Sequence, residues 1–332
     1  MESSIGNQHI AAMRAVESKF ALYDRSHWGL IKITDRDCLR FLHNQSTNNF
    51  LSLQPGQGCD TIFVTPTGRT IDLVTAYVHD DAIIILVSPK RHKFLMEWLD
   101  KYIFFADKIQ LNDITESHAI FNLIGPGSDE LVTKLGAEIL IGKPYGTHQV
   151  FSAQGLQDLC FCVGSGLAIP GYTMIFPVAH KNSIQEILLE YGAVKMSENT
   201  WSMLRILQGR PMPDQEITEE YNPLEVGLWN AISFNKGCYI GQETITRLNT
   251  YKGVKQKLWG IYLTAPTTPG SLITIGQEKV GKLTSYTATV DGHFGLGYIR
   301  TKVGGANIKV EIGNVQGKTV KVPFISHDYP KI

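Results

Sequence analysis

Apolar residues recur at helical spacing in "HIAAMRAVESKFALYD", which predicts an amphipathic opening helix. "WGLIKITDRDCLRFLHNQS" then reads as a strand, a turn and a helix capped near Thr34 or Asp35. Three strands fill "CDTIFVTPTGRTIDLVTAYVHDDAIIILVSP", divided by turns at Pro66-Thr67-Gly68 and at His79-Asp80-Asp81. "KRHKFLMEWLDKYIF" reads as a helix. Helices and strands interleave, but hairpins are frequent, so the predicted class is α+β rather than a doubly wound sheet.

The pattern repeats that mixture from "HAIFNLIGPGSDELVTKLG", a strand, a glycine turn and a helix with Ser128 as its N-cap. "LCFCVGSGLAIPGYTMIFP" is a strand pair. "NSIQEILLEYGA" and "SENTWSMLRILQG" are helices that end where Gly192 and Gly209 stand as C′ glycines. From Lys255 the pattern changes to short strands separated by glycine turns, "KQKLWGIYL", "SLITIG", "KVGKLTSYTATV", "HFGLGYIR" and "NIKVEIG". That predicts a small all-β barrel or sandwich. The expected domains are 1–115, 116–254 and 255–332, with the first two able to interweave.

A length of 332 residues suits two or three domains. A net charge of zero argues against binding nucleic acid by bulk electrostatics. No apolar run is long enough for a membrane helix, and the start has no secretory h-region. Five cysteines, Cys38, Cys59, Cys160, Cys162 and Cys238, form no CxxC and fit a reducing compartment. The scattered histidines give no zinc spacing, so no protein-held metal is expected. Cytoplasm is the default compartment. An organellar matrix or stroma applies if a transit peptide has been removed.

Four motifs carry candidate chemistry. "LIGPGSDELVTKL" could hold a phosphate at a helix N-terminus, but it lacks the third glycine and the lysine of the stronger motifs and reads as an ordinary connection. Cys160 and Cys162 would share one strand face as buried small side chains. Asp72 in "GRTIDLVTAY" reads, on pattern alone, as a solvent-facing position of a half-exposed strand. "NKGCYIGQE", Asn235 to Glu243, differs in kind. Lys236 stands two residues from Cys238, and a nearby ammonium favours thiolate. Gly241 permits close approach of a ligand. Tyr239 offers a ring for stacking. Gln242 and Glu243 offer an amide and a carboxylate for a heterocycle edge. Arg247, Lys252, Lys255 and Lys257 follow as a basic zone suited to an anionic tail.

"FNKGCYIGQE" with "YKG" downstream resembles the K-G-C-[FY]-x-G-Q-E signature of the YgfZ family, folate-binding proteins of the GcvT-like superfamily that support iron–sulfur cluster assembly or repair. "WSMLRILQGRPM", "YNPLEVGLWNAISFNKG", "VGKLTS" with "GLGYIR", "SHWGLIKITDRDCLRFLHNQSTNN" and "GRTIDL" are similar to further superfamily segments, so the resemblance spans nearly the whole chain. It implies a three-domain cloverleaf around a central channel where tetrahydrofolate or a one-carbon-substituted folate sits. It carries the functional lysine and cysteine onto Lys236 and Cys238. Tyr239, Gly241, Gln242 and Glu243 complete the motif, and Arg205 and Glu225 match positions near the channel. Asp72, Arg247 and Lys252 join the expected folate-binding set.

The chain departs from the aminomethyltransferases of that superfamily. Their G-Y-T-G-E segment is here Gly171-Tyr172-Thr173 followed by Met174-Ile175. Their paired Asp-Asp is here Asp72-Leu73, which leaves the catalytic position apolar. Where they have an F-I-G segment, this chain has the KGC signature. All three departures point away from glycine cleavage. The expected role is therefore a folate-binding accessory factor for iron–sulfur client or assembly proteins, acting as a monomer. Effects on tRNA modification would come through cluster-dependent enzymes, with no direct nucleic acid and no membrane. Cys238 could attack a one-carbon adduct, ligate iron or exchange with a client cluster, and the sequence does not choose. The alternatives are a folate-dependent aminomethyltransferase or demethylase, with Asp72 as its carboxylate, and a scaffold that has lost folate.

Overall fold

A computed structural model describes residues 2–153 and 155–329, with side chains from His9 onward. The chain divides into two compact units. The first holds residues 1–43, 49–60 and 74–201, and the second holds 44–48, 61–73 and 202–332.

The first unit carries a six-stranded sheet in the order Val194–Met196, Ala21–Asp24, His118–Ile124, Gly171–Pro177, Leu156–Val163, His148–Ala153. Its neighbours are antiparallel except for the outer pair of Ala21–Asp24 with Val194–Met196, which is parallel. Central strands such as His118–Ile124 are buried at almost every position. Helices Ser128–Lys134 and Lys181–Glu190 cover the sheet through Leu131, Val132, Ile184 and Leu188. Cys160 and Cys162 are buried on one face of their strand with sulfurs 3.7 Å apart, as the pattern predicts.

The five-stranded sheet runs Gln57–Val64, Thr70–Val78, Ala82–Val87, Gly29–Thr34, Gln110–Asp113. Residues 61–64 and 70–73 of its first two strands belong to the second unit. The three strands predicted between Cys59 and Pro89 are present, and Gly192 and Gly209 follow their helices with positive φ.

Two capping expectations fail. The helix predicted to start after Thr34 or Asp35 begins at Cys38, because Asp35 takes φ +82° and its carbonyl accepts the Cys38 N–H in a turn. Ser128 is the first helical residue and not the N-cap; Gly127 holds that position, and Ser128 Oγ donates back to the Gly125 carbonyl at 2.6 Å.

The second unit contains a closed antiparallel barrel of six strands, Gln256–Leu263, Gly292–Arg300, Glu278–Thr289, Leu272–Ile275, Lys309–Ile312 and Val315–Val320, which pairs back to the first. Ile261, Ile273, Leu283 and Val310 fill it. The pattern predicted five of these strands. Val315–Val320 was not among them, since its buried positions are occupied by Gly317 and Thr319 rather than by large apolar residues. A second core gathers Ile62, Val64 and Leu73 from the segment 61–73 with Leu224, Tyr239, Ile245 and Leu296 from the segment 202–332.

Candidate functional site

Every singled-out site residue lies in the second unit. The signature loop follows the turn Trp229–Ala231 and leads into the helix Gln242–Thr250. Gly241 is that helix's N-cap, with φ +79°. A Cβ there would stand 2.7 Å from the Thr65 carbonyl oxygen and 3.1 Å from Gly68 Cα. Only glycine meets both the left-handed backbone and this approach. Gly68 answers it from the other side, also at positive φ, against Gly241 O and Thr244.

The loop is also fastened to the short segment 44–48. Ile240 N–H donates to the Asn44 carbonyl at 3.1 Å. The Lys236 ammonium donates to the carbonyls of Ser46 at 2.8 Å and Asn48 at 2.7 Å, and it lies 4.8 Å from the Tyr239 ring centroid. Lys236 is thus a clamp that holds the loop to an early chain segment, a role that its spacing from Cys238 did not suggest. Cys238 is an exposed free thiol on the clamped loop. Gln242 Nε2 closes the turn on the Gly237 carbonyl at 3.4 Å, and Glu243 is exposed in the first helical turn.

Two buried polar atoms on these joined segments have no hydrogen-bond partner among the described residues, Tyr239 Oη and Gln45 Oε1. Each residue is 8% exposed. Burial raises the Tyr239 phenol well above its usual range, so it remains a neutral donor. A buried hydroxyl and an amide oxygen left in this state cost free energy until a ligand or water meets them.

Asp72 is fully buried, which corrects the solvent-facing reading. The whole strand Thr70–Val78 is buried, so alternation has no exposed face to report there. Arg205 is also buried and belongs to a closed network. Its Nη1 donates to Glu216 Oε2 at 3.1 Å, and its Nη2 donates to Gln215 Oε1 and, at 3.0 Å, to Ser285 Oγ. Glu216 Oε1 accepts from Thr284 at 2.8 Å and Ser285 at 2.6 Å, and Tyr298 donates to the Glu216 carbonyl. This pins the loop after the helix Glu198–Gln208 onto the barrel.

Glu225 sits in the four-residue helix Pro223–Val226 as the acid of a capping box with Asn222. Burial raises its pKa, opposed by the Asn222 N–H and by Arg69, whose Nη1 is 3.9 Å away. The predicted basic zone divides. Arg247 and Lys252 are exposed, and Lys255 enters a cavity. Lys257 donates to the His327 carbonyl at 2.7 Å and stands over Tyr329 and Trp229. The sequence reading missed Gln45, Ser46 and Asn48; the polar run "HNQSTNN", which ends the helix Cys38–Gln45 and continues past it, was the available signal. Among the described residues no group of three or more His, Cys, Asp or Glu could hold a metal ion, and no helix is long and apolar enough to cross a membrane.

The mixed α/β units and the closed C-terminal barrel define a GcvT-like fold. The crystal structure of the glycine cleavage system aminomethyltransferase T from Bartonella henselae superposes with a TM-score of 0.82 at 18% identity, covering 98% of this chain and 90% of that one. The GCVT N-terminal domain model matches residues 2–236, and the chain belongs to that family, the aminomethyltransferase-type transferases. A chloroplastic protein of Arabidopsis thaliana, named as a transferase, is 47% identical over 322 residues, 96% of this chain and 74% of its own length. The aminomethyltransferase of Caldanaerobacter subterraneus is 25% identical over 336 residues, 97% of this chain and 88% of its own length.

Proposed function

We infer that this chain is a tetrahydrofolate-binding accessory protein of the YgfZ type, supporting iron–sulfur proteins through the thiol of Cys238. The observation that carries this reading is the clamped signature loop. It buries the unpartnered Tyr239 Oη beside a segment with the unpartnered Gln45 Oε1, while Cys238 stays exposed. A hydroxyl and an amide oxygen suit the donor and acceptor edge of a pterin. Tyr239, Gln45, Gln242 and Glu243 would hold the heterocycle, with Asp72 and Glu225 as the buried carboxylates of the same unit. A bound one-carbon folate would supply a transferable one-carbon unit. The protein's own contribution is to orient the ring and to present a single thiol. The iron–sulfur role rests on the KGC signature. The chloroplastic relative supports a plastid stroma or other organellar matrix rather than the cytoplasm.

A second reading, a folate-dependent aminomethyltransferase, is favoured by the names of the relatives at about a quarter identity. It needs a carboxylate beside the folate, and fully buried Asp72 is its candidate.

Anaerobic calorimetric titration with tetrahydrofolate tests the shared part. Saturable binding is expected, and silence at millimolar ligand would remove folate from both readings. Cys238→Ala separates the two. It should keep folate affinity and stability, within about 0.5 kcal/mol for an exposed site, yet fail to restore a cluster-dependent enzyme in an extract lacking the protein. Full restoration by this variant would defeat the accessory role of the thiol.

A further inference from the structure

The first unit displays two consecutive phenylalanines, Phe104 and Phe105, at the tip of a turn between the helix His92–Asp100 and the edge strand Gln110–Asp113. The base of this turn is firmly tied. Asp107 N–H donates to the Phe104 carbonyl at 2.9 Å, and the Asp107 carboxylate accepts the Phe104 N–H at 2.9 Å. Arg40 Nη2 stands 3.6 Å from the same carboxylate, and the Lys108 N–H donates to Asp37 Oδ2 at 3.0 Å. The tip that this base holds out is apolar. Phe104 is 71% exposed, Phe105 is fully exposed, and Ala106 is exposed beside them. Phe94 on the helix is also exposed, and Trp98 meets the ring of Tyr102 at 4.9 Å. Turns are ordinarily made from Gly, Asn, Asp, Ser and Pro, so the backbone does not call for phenylalanine here. Large rings presented to water on a tied turn mark a contact site.

The charges around the tip decide which contact it fits. From Lys90 to Lys108 the chain has five cations, Lys90, Arg91, Lys93, Lys101 and Lys108, against three acids. One of those acids, Asp107, is taken up by the turn and by Arg40, which leaves Glu97 and Asp100 on the helix. Lys101 and Lys108 are exposed and flank the tip on its two sides in sequence. Lysine stems lie along an apolar surface and keep their ammonium groups at its polar edge. Rings between two lysines match the apolar boundary and the anionic headgroups of a lipid surface. A protein partner would need a pocket cut to a convex pair of rings, whereas a bilayer interface admits a projecting tip of any outline.

We propose that the Phe104–Phe105 tip inserts into the interface of an anionic lipid bilayer, with Lys101 and Lys108 on its headgroups, and so docks the protein on a membrane surface. The sequence reading expected no membrane because it looked for a spanning run, and a tip of two rings leaves no such run.

Flotation of the full-length protein with vesicles tests this, using phosphatidylcholine alone and phosphatidylcholine mixed with an equal amount of phosphatidylglycerol. The mixed vesicles should bind about ten-fold more tightly, and added salt should shrink that difference. Phe104→Ser with Phe105→Ser should weaken binding to the mixed vesicles about thirty-fold. Its thermal melt should be unchanged, because both positions are exposed. Lys101→Gln with Lys108→Gln should reduce binding of the mixed vesicles to about the phosphatidylcholine level. Absence of vesicle association at low salt overturns the proposal; if the native protein then self-associates in sedimentation and the double serine variant does not, the tip belongs to a second copy of the chain. A serine variant that floats as well as the native protein overturns it too, as does a preference for phosphatidylglycerol that survives the lysine variant.

Discussion

Two buried arginines show how differently the two units treat charge. In the first unit Arg25 is 1% exposed and lies over Trp28, its guanidinium carbon 3.5 Å from the ring centroid. Its Nε and Nη2 have no hydrogen-bond partner among the described residues, and burial pulls its pKa down. In the second unit Arg205 is equally buried but reaches a carboxylate, an amide, a hydroxyl and a carbonyl. One charge is tolerated on an aromatic face; the other is a structural node. Burial alone therefore says little about what a charged residue does, and its partners say most. The unit that ties its charges together is also the unit that gathers the signature loop, the buried Asp72 and the cavity that Lys255 enters.

Breaking the node should cost most. Glu216→Ala strands the Arg205 charge inside the protein, and a loss of about 3–5 kcal/mol is expected in denaturant unfolding. A loss under about 1 kcal/mol would mean that the network is not what holds this loop on the barrel.

Gly241→Ala comes next. It forces a side chain into the left-handed region and against the Thr65 carbonyl, at an expected cost of about 2–4 kcal/mol with loss of folate binding. Unchanged binding would show that the loop can leave this docking without harm to the site.

Acid should weaken both units by a smaller amount. His79 in the first and His327 in the second are each held down to about 4, chiefly by burial, helped by His148 in one case and Lys321 in the other. The unfolded chain takes up these protons near 6.5, before the folded one does. Stability is therefore complete above that value and is lost as pH falls towards 4. His327→Phe should flatten the part of this slope that comes from the second unit, and His79→Phe that from the first. A melting temperature that is flat between pH 7 and 5 would contradict both.

Arg25→Met should change least. Removing a buried charge with two unpartnered nitrogens relieves desolvation, so a change within about 1 kcal/mol of either sign is expected. A loss like that of Glu216→Ala would show that the aromatic face holds Arg25 as firmly as a carboxylate would.

Much of this was legible before any coordinates. Strand and helix positions followed from apolar runs bounded by turn residues, as at Thr70–Val78, and from helical periodicity, as at Lys181–Glu190. The signature marked the loop at Lys236–Glu243. What stayed hidden depends on contacts distant in sequence. Nothing near Lys236 announces Ser46 and Asn48, 190 and 188 residues away. Nothing near Arg205 announces Ser285. Asp72 misled because alternation reports burial only when one face of a strand meets water. Val315–Val320 escaped because a glycine and a threonine do the inward packing there.

The second unit borrows residues 44–48 and 61–73 from early in the chain, while its barrel closes only with Val315–Val320. During synthesis those early residues emerge long before their partners exist. Lys236 cannot reach Ser46 until some 190 intervening residues have been made. Loop closure over that distance is slow to nucleate. The thiol of Cys238 therefore acquires its fixed setting late in the birth of the molecule. Cys238 follows Lys236 by two residues, so the thiol and the clamp that sets it arise together.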